Sequence, residues 1–461
     1  METTRTPTYE ELLEENRQLR DEVERLRQQV ARLTEALEQA CRQGKRQAAP
    51  FRKQEEVVGP PRKPGRKAGR RHGPHAHRAV PPRIDETFDA PLPAQCPCCG
   101  SRRVRETRIV AQYQVEIPRQ VIYRQFNVHV GTCRDCGRAV RGRHASQTST
   151  AAGAAASQLG PNLHAALALL NKQLGLSHGK SVKLLRLLFE GLNVARSTSV
   201  RSIERTARRA QPAYAQLRQD IRGSPQVVPD ETGWRVGGRN AWLHVFAGHR
   251  ETCYVIDPTR SGEPAEQLLG KEWSGTLVHD GWSVYDQFKQ AAHQQCLQHL
   301  QRRCEDLLLT ATRGAVRFPR AVLELIDRAY ASRRAWRGHR LSGDALAEEG
   351  LARAWELEQL TSGHFTYPPN RRLADHLLSH VFHWFWFLFD PTIDATNYRA
   401  EQALRPAVVN RKVWGGNRTW LGAQCQSVLT SIIRTCEQRA QDALNFFAQT
   451  LCQPTPQIIP A

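Results

Sequence analysis

Two short apolar runs, each delivering an acid to its end, constrain this chain more than any other feature. Gln226-Val227-Val228-Pro229-Asp230-Glu231-Thr232 places paired β-branched residues just ahead of Asp230, the composition of a strand. Gly275-Thr276-Leu277-Val278-His279-Asp280-Gly281 repeats the arrangement. A third acid, Glu401, lies far downstream in a stretch that reads as a helix, Thr396-Asn397-Tyr398-Arg399-Ala400-Glu401-Gln402-Ala403-Leu404-Arg405. Two strand-end aspartates and a helical glutamate are a donor set for two divalent cations, because Mg²⁺ takes hard carboxylate oxygens and keeps positions open for phosphate and water. Glu231 competes with Asp230, but strand alternation puts it on the opposite face.

The length, 461 residues, suggests roughly three domains. The formal net charge is +21, arginine dominates it, and the basic residues cluster. Such an excess suits a polyanion, since each neutralised phosphate releases counterions. A membrane surface fits less well, because no stretch approaches the ~20 apolar residues of a spanning helix. Met1-Glu2-Thr3-Thr4-Arg5 carries no apolar signal core, so a cytoplasmic location is expected. Twelve unevenly spaced cysteines read as thiols and metal ligands in a reducing compartment rather than as a disulfide scaffold.

Residues 1–45 carry heptads. Leu12, Leu19, Leu26 and Leu33 recur every seven positions, with Asn16, Val23, Val30 and Leu37 on the second seam. The pattern predicts a parallel dimeric coiled coil through residues 9–42, or a higher oligomer, against the alternative of one amphipathic helix packed on its own protein. Residues 46–90 form a linker without apolar periodicity. Arg62, Lys63, Arg66, Lys67, Arg70 and Arg71 alternate there with Pro, Gly and Ala, as a tether or as an arm laid along DNA. Over 91–150, Cys96-Pro97-Cys98-Cys99-Gly100 and Cys133-Arg134-Asp135-Cys136-Gly137 are two C-x-x-C-G knuckles. Cys96, Cys99, Cys133 and Cys136 predict one structural Zn²⁺ in a zinc ribbon, with alternating strands from Tyr113 to Val130 between them. Cys98 is either a substitute ligand or spare.

Residues 151–222 read as helices broken near Gly175, Ser177-His178-Gly179 and Gly191-Leu192-Asn193. A short apolar helix is followed by one starting at Arg196-Ser197-Thr198-Ser199-Val200-Arg201. That is helix-turn-helix-like, with Arg196 and Arg201 facing DNA, or it is plain helical packing. Residues 223–445 carry the acid-bearing strands. Ala241 to Phe246 and Thr252 to Ile256 add two strands joined through Gly237-Gly238 and Gly248, and Ser261 to Leu269 opens a helix before Thr276 to Val278. Three strands, a helix, then a strand, with acids on the first and fourth strands, predict a ribonuclease-H-like core. A helical insertion covers about 300–392 and ends in the aromatic run Phe382 to Phe389, more often core than stacking platform. Residues 446–461 are a tail. The fold class is thus multidomain α/β: a ribonuclease-H-like core with a helical insertion, preceded by a coiled coil, a zinc ribbon and a helix-turn-helix-like domain.

The chain resembles the DDE transposases of the insertion-sequence sixty-six family. The resemblance rests on Asp230-Glu231-Thr232, Asp257-Pro258-Thr259-Arg260-Ser261-Gly262, His279-Asp280-Gly281-Trp282-Ser283-Val284-Tyr285, Cys296-Leu297-Gln298-His299 and, most specifically, Asn397 to Pro406. It continues through Arg411-Lys412, Gly415-Gly416, Gly422-Ala423 and Thr435-Cys436. It implies Asp230, Asp280 and Glu401 as the catalytic triad holding two Mg²⁺ or Mn²⁺. It also implies cleavage of phosphodiesters at element ends and joining of the freed 3′-hydroxyl to target DNA, in a bacterial, nucleoid-associated protein. The family's Cys-x-x-His step maps onto Cys296 and His299, for which a packed helix face is the expectation. Arg405, one turn from Glu401, orients that acid or meets the scissile phosphate, against the alternative of a surface ion pair. Pro406 is expected to kink the helix. Arg411 and Lys412 are taken as phosphate contacts. Two other readings stand beside this one: a nuclease of the same fold that cuts without joining, and a zinc-containing DNA-binding regulator with an idle catalytic domain.

Overall fold

The computed structural model describes residues 14, 17–26, 28–29, 80–151 and 158–452. Most of the heptad stretch, and all of the basic arm from Arg62 to Arg71, lie outside these residues. The chain divides into two compact units, residues 1–116 and 117–461. In the first, residues 17–26 are helical, and Glu14–Arg17 and Glu22–Arg25 pair within one turn of each other. Leu19, Val23 and Leu26 stand about half exposed on that helix.

The second unit begins with β1 (Val130–Thr132) and β2 (Ala139–Arg141), an antiparallel pair flanking the second knuckle. The longer ribbon strands expected from Tyr113 onward do not form, and residues 101–129 contain neither strand nor helix. Val115, Ile117 and Tyr123 are 84%, 70% and 79% exposed. Alternation makes a strand only where one face is covered, and here these apolar positions are exposed. Arg119 instead donates to the Leu187 and Leu188 carbonyls, and the Tyr123 hydroxyl donates to Gly191.

Three helices follow: α1 (Pro161–Lys172), α2 (His178–Leu188) and α3 (Arg196–Arg222). Pro161 starts α1 where a missing N–H costs nothing. Ser177 caps α2 by accepting the Lys180 amide. The buried side of α3 runs through Ile203, Ala207, Ala210, Tyr214 and Leu217, a spacing of three and four residues that makes one stripe.

Next come β3 (Gln226–Val236), β4 (Arg239–Ala247), β5 (Thr252–Asp257), α4 (Glu263–Leu269), β6 (Thr276–His279) and β7 (Ala292–Gln295). They form one mixed sheet in the order β5-β4-β3-β6-β7. β3, β4 and β5 are antiparallel, while β6 runs parallel to β3 and β7 parallel to β6. The fifth strand was not expected from the sequence. Helices α5 (Leu297–Thr310), α6 (Arg317–Arg337), α7 (Gly343–Thr361), α8 (Pro368–Ser379) and the single turn α9 (Trp386–Phe389) make the insertion. Trp384, Phe385 and Phe387 are buried in its separate core, as expected of the aromatic run, while Phe382 is exposed. The chain then returns to the sheet through α10 (Tyr398–Trp414), α11 (Trp420–Gln438) and α12 (Ala443–Cys452). Helix α10 runs on through Pro406.

The two sheet faces have different covers. Val227, Phe246, Cys253 and Leu277 pack with α3 and α11 residues. Val228, Val245 and Val278 pack with Ala400, Ala403 and Leu404 of α10. Helix α11 also closes the sheet edge. Ser427, Ser431 and Thr435, one turn apart, accept the backbone N–H groups of Ile256, Tyr254 and Thr252 at 3.2, 2.8 and 3.1 Å. A row of donors that would otherwise be free to recruit another strand is thereby satisfied by side chains.

Candidate active site

The sheet register decides which acids meet. Along β3, Val228 and Asp230 share a face, and Val228 belongs to the cluster that packs against α10. The same two-residue step from Val278, also in that cluster, leads to Asp280 just beyond β6. Glu401 sits in the first turn of α10, the helix lying across that face. Its position is fixed from below: Asp394 accepts Arg399 at 2.7 Å and Gln226 at 3.2 Å, joining the segment before α10 to the start of β3.

The three acids share one electrostatic field. The Asp230 carboxyl is pushed up to about 8, first by burial, then by the Glu231, Asp280 and Glu401 carboxylates. The Glu231 amide, donating to Asp230 Oδ1 at 2.8 Å, pulls partly the other way. Negative charge is thus concentrated around a partly buried oxygen donor set, which is the chemistry a hard divalent cation relieves. Among the described residues, no group of three or more His, Cys, Asp or Glu side chains is drawn together closely enough to ligate an ion as it stands.

Glu231 faces the other way, as alternation predicts, across from His244 and diagonal to Trp242. It is nonetheless part of the surroundings. Its Oε1 accepts Arg260 Nε and a terminal guanidinium nitrogen at 2.9 and 2.7 Å. Burial raises the Glu231 carboxyl, and Arg260 opposes that rise. The Arg260 guanidinium lies over both Trp242 (5.1 Å) and Trp282 (4.8 Å). Trp282 donates its amide to Asp280 Oδ1 at 3.0 Å. One arginine therefore ties the strand of the first acid to the turn of the second. The sequence signal for this frame was slight: two tryptophans and an arginine on three different segments.

His299, expected on a packed helix face, lies with Nε2 3.8 Å from Glu401 Oε1. Its partner in the Cys-x-x-His step, Cys296, is buried, and burial raises its thiol. Arg411 donates to Thr232 Oγ1 at 3.3 Å, so its guanidinium is held against β3. Lys412 and Arg405 are exposed on α10. Arg196 lines a surface cleft of about 450 Å³ between α2 and α3 with Lys183 and Arg186, and Arg201 is exposed on α3.

The two cysteine knuckles have the same local geometry. Gly100 and Gly137 donate to the Cys96 and Cys133 carbonyls at 2.8 and 2.9 Å, and both glycines take positive φ, +73° and +67°. The Cys96 thiol is lowered by the amides of Cys99 and Cys98, and the Cys133 thiol by those of Cys136 and Asp135. Cys99 therefore matches Cys136. Cys98 matches Asp135, a residue that contributes only its backbone N–H. The first knuckle lies in the first compact unit and the second knuckle in the second.

A mixed sheet with carboxylates on one face, in a chain of +21, is compatible with an enzyme that processes nucleic acid. The family model described as "Transposase IS66 family" matches residues 156–425, well over half of the chain. The chain belongs to the IS66 transposase family. Membership implies DNA binding and the general use of divalent metal. A search of the curated proteins finds no match. No helix among the described residues is long and apolar enough to cross a membrane.

Proposed function

We infer that this protein cleaves DNA at the ends of its element and joins them to a target, with Asp230, Asp280 and Glu401 as the catalytic acids. The observation that carries this reading is the register. Asp230 lies midway along β3, level by register with Asp280 just past the end of the adjacent parallel strand β6, and the Glu401 helix crosses their common face. The strand order β5-β4-β3-β6-β7, three antiparallel strands followed by two parallel ones, supports a ribonuclease-H-like core. The three acids would hold two Mg²⁺ or Mn²⁺ ions. When bound, such ions activate a water or 3′-hydroxyl oxygen and stabilise the leaving oxygen of an in-line displacement at phosphorus.

The chain's own residues supply the rest. Asp230 would be one of the ligands, and a bound cation would offset the burial and neighbouring carboxylates that raise its proton affinity. Arg260 holds Glu231 out of the donor set while fixing the Asp280 turn. Arg405, Arg411 and Lys412 line α10 with positive charge for the DNA backbone. Cys96, Cys99, Cys133 and Cys136 would hold one structural Zn²⁺, and amide hydrogen bonds to Cys96 and Cys133 favour the thiolate such a site needs. Helices α2 and α3, with Arg196 and Arg201, serve as a helix-turn-helix-like DNA reader. The heptads at 9–42 pair two chains so that two ends are held together, and the arm from Arg62 to Arg71 follows phosphates.

The test is a cleavage and strand-transfer assay on DNA carrying the inverted repeats that flank the reading frame. Wild type is expected to nick and then join. Asp230→Asn, Asp280→Asn and Glu401→Gln are expected to do neither while still binding the ends. Cutting without joining of pre-cut ends assigns a nuclease instead. Activity untouched by Asp280→Asn assigns the chemistry elsewhere.

A further inference from the structure

Behind the second acid lies a group of histidines that the reading above does not use. His279, which is fully buried, precedes Asp280 directly. The Gly281 amide points at His279 Nδ1 at 3.2 Å. His279 Nε2 meets His293 Nδ1 at 3.1 Å, and His293 Nε2 meets the Phe288 carbonyl at 3.1 Å. The two ends of this chain fix every proton in it. An amide can only donate, so His279 Nδ1 accepts and its hydrogen is on Nε2. A carbonyl can only accept, so the His293 hydrogen is on Nε2 and its Nδ1 is bare. Both deductions give the same direction at the middle bond, with His279 donating to His293.

The turn that this chain holds has little freedom. Gly281 has φ +94°, and a side chain there would meet Gln295 Oε1 at 2.7 Å. Gln295 Oε1 in turn meets His376 Nε2 of α8 at 3.2 Å. On the other side His383 stacks on His293, with ring centroids 4.9 Å apart and planes 21° from parallel. The helical insertion thus touches both arms of the support.

We propose that His279 and His293 are positioning residues for Asp280, and that the insertion, through His383 and His376, clamps the turn that carries this acid. The proposal rests on Asp280 being a metal-binding acid. An outer group that orients a metal ligand is worth roughly 10–100-fold in metal affinity. Loss of the Gly281 amide bond is expected to weaken Mn²⁺ binding by at least about 10-fold.

The experiment has two independent readouts on the full chain. Long-range ¹⁵N correlation spectra of histidine-labelled protein report tautomers. His279 and His293, assigned by His279→Asn and His293→Gln, are both expected as Nε2–H forms, and an Nδ1–H form at either overturns the relay. Mn²⁺ affinity is then compared across variants. His279→Asn, whose amide oxygen can take the place of Nδ1, is expected to bind within a few-fold of wild type, and His279→Phe to lose about 10-fold or more. His383→Ala, at the far end, is expected to give an intermediate loss. Equal affinity in wild type and His279→Phe overturns the positioning role. Wild type that binds no Mn²⁺ overturns the metal reading and with it the role for Asp280, while the tautomers still decide whether the relay exists.

Discussion

Replacing Asp230 by Asn should make the metal-free protein more stable, and increasingly so as pH rises. Asp230 holds its proton up to about pH 8 when folded, against an ordinary value of 3.8. Between those values the folded chain binds more protons than the unfolded chain, so folding stability falls as pH rises through the window. Below the lower value nothing is lost, and above the upper value the loss is complete. Asn cannot ionise and is spared all of it. At ~1.4 kcal/mol per pKa unit the ceiling on the gain is about 6 kcal/mol. Asp230 is only partly buried, so solvent trims this to roughly 2–4 kcal/mol. Urea midpoints in EDTA at about pH 5 and about pH 9 give the comparison, with a small advantage for Asp230→Asn at the lower pH and a large one at the higher. Saturating Mn²⁺ should reverse the order, since an ion that binds only the folded wild type stabilises it by mass action. Equal midpoints at both pH values, or a wild type that gains stability toward high pH, would refute the reasoning.

Three further outcomes follow from other parts of the fold. Ser431→Ala leaves the buried Tyr254 amide without an acceptor and should cost about 1–3 kcal/mol by urea unfolding, more than Thr430→Ala, whose hydroxyl only returns to its own helix. Cys99→Ser should lower zinc content measured by elemental mass spectrometry, whereas Cys98→Ser should leave it unchanged. Arg260→Met preserves the stack on Trp242 and Trp282 but strands Glu231, whose side chain is 5% exposed; it should cost about 2 kcal/mol, and adding Glu231→Gln should restore most of that.

The parts legible in the sequence were those where local chemistry and tertiary role agree. Val227-Val228 and Leu277-Val278 are β-branched or apolar runs that do become central strands, and two-residue alternation correctly separated Asp230 from Glu231. Strand β7 was missed because Ala-His-Gln-Gln has none of the usual strand residues. It is buried through polar bonds, with Gln294 donating to Trp384 and accepting from Phe387, partners about ninety residues away. Long-range satisfaction of this kind leaves no periodicity to read. The opposite failure occurred from Tyr113 to Val130, where alternation was present but Val115 and Tyr123 are exposed among the described residues. The hydroxyl row Ser427, Ser431 and Thr435 has a clear four-residue spacing, yet its meaning depends on a sheet edge that only the fold supplies. A packed helix face is the sequence expectation for Cys296 and His299 alike, yet Cys296 is buried while His299 lies 3.8 Å from Glu401, a contact that depends on where α10 falls.

On the proposed function, Asp230, Asp280 and Glu401 together would hold catalytic divalent cations. Calorimetric titration of the metal-free chain with Mn²⁺ measures this without DNA. Wild type should take up two equivalents, and Asp230→Asn and Glu401→Gln should each abolish at least one. Mn²⁺ binding of undiminished stoichiometry and affinity in both variants would contradict it.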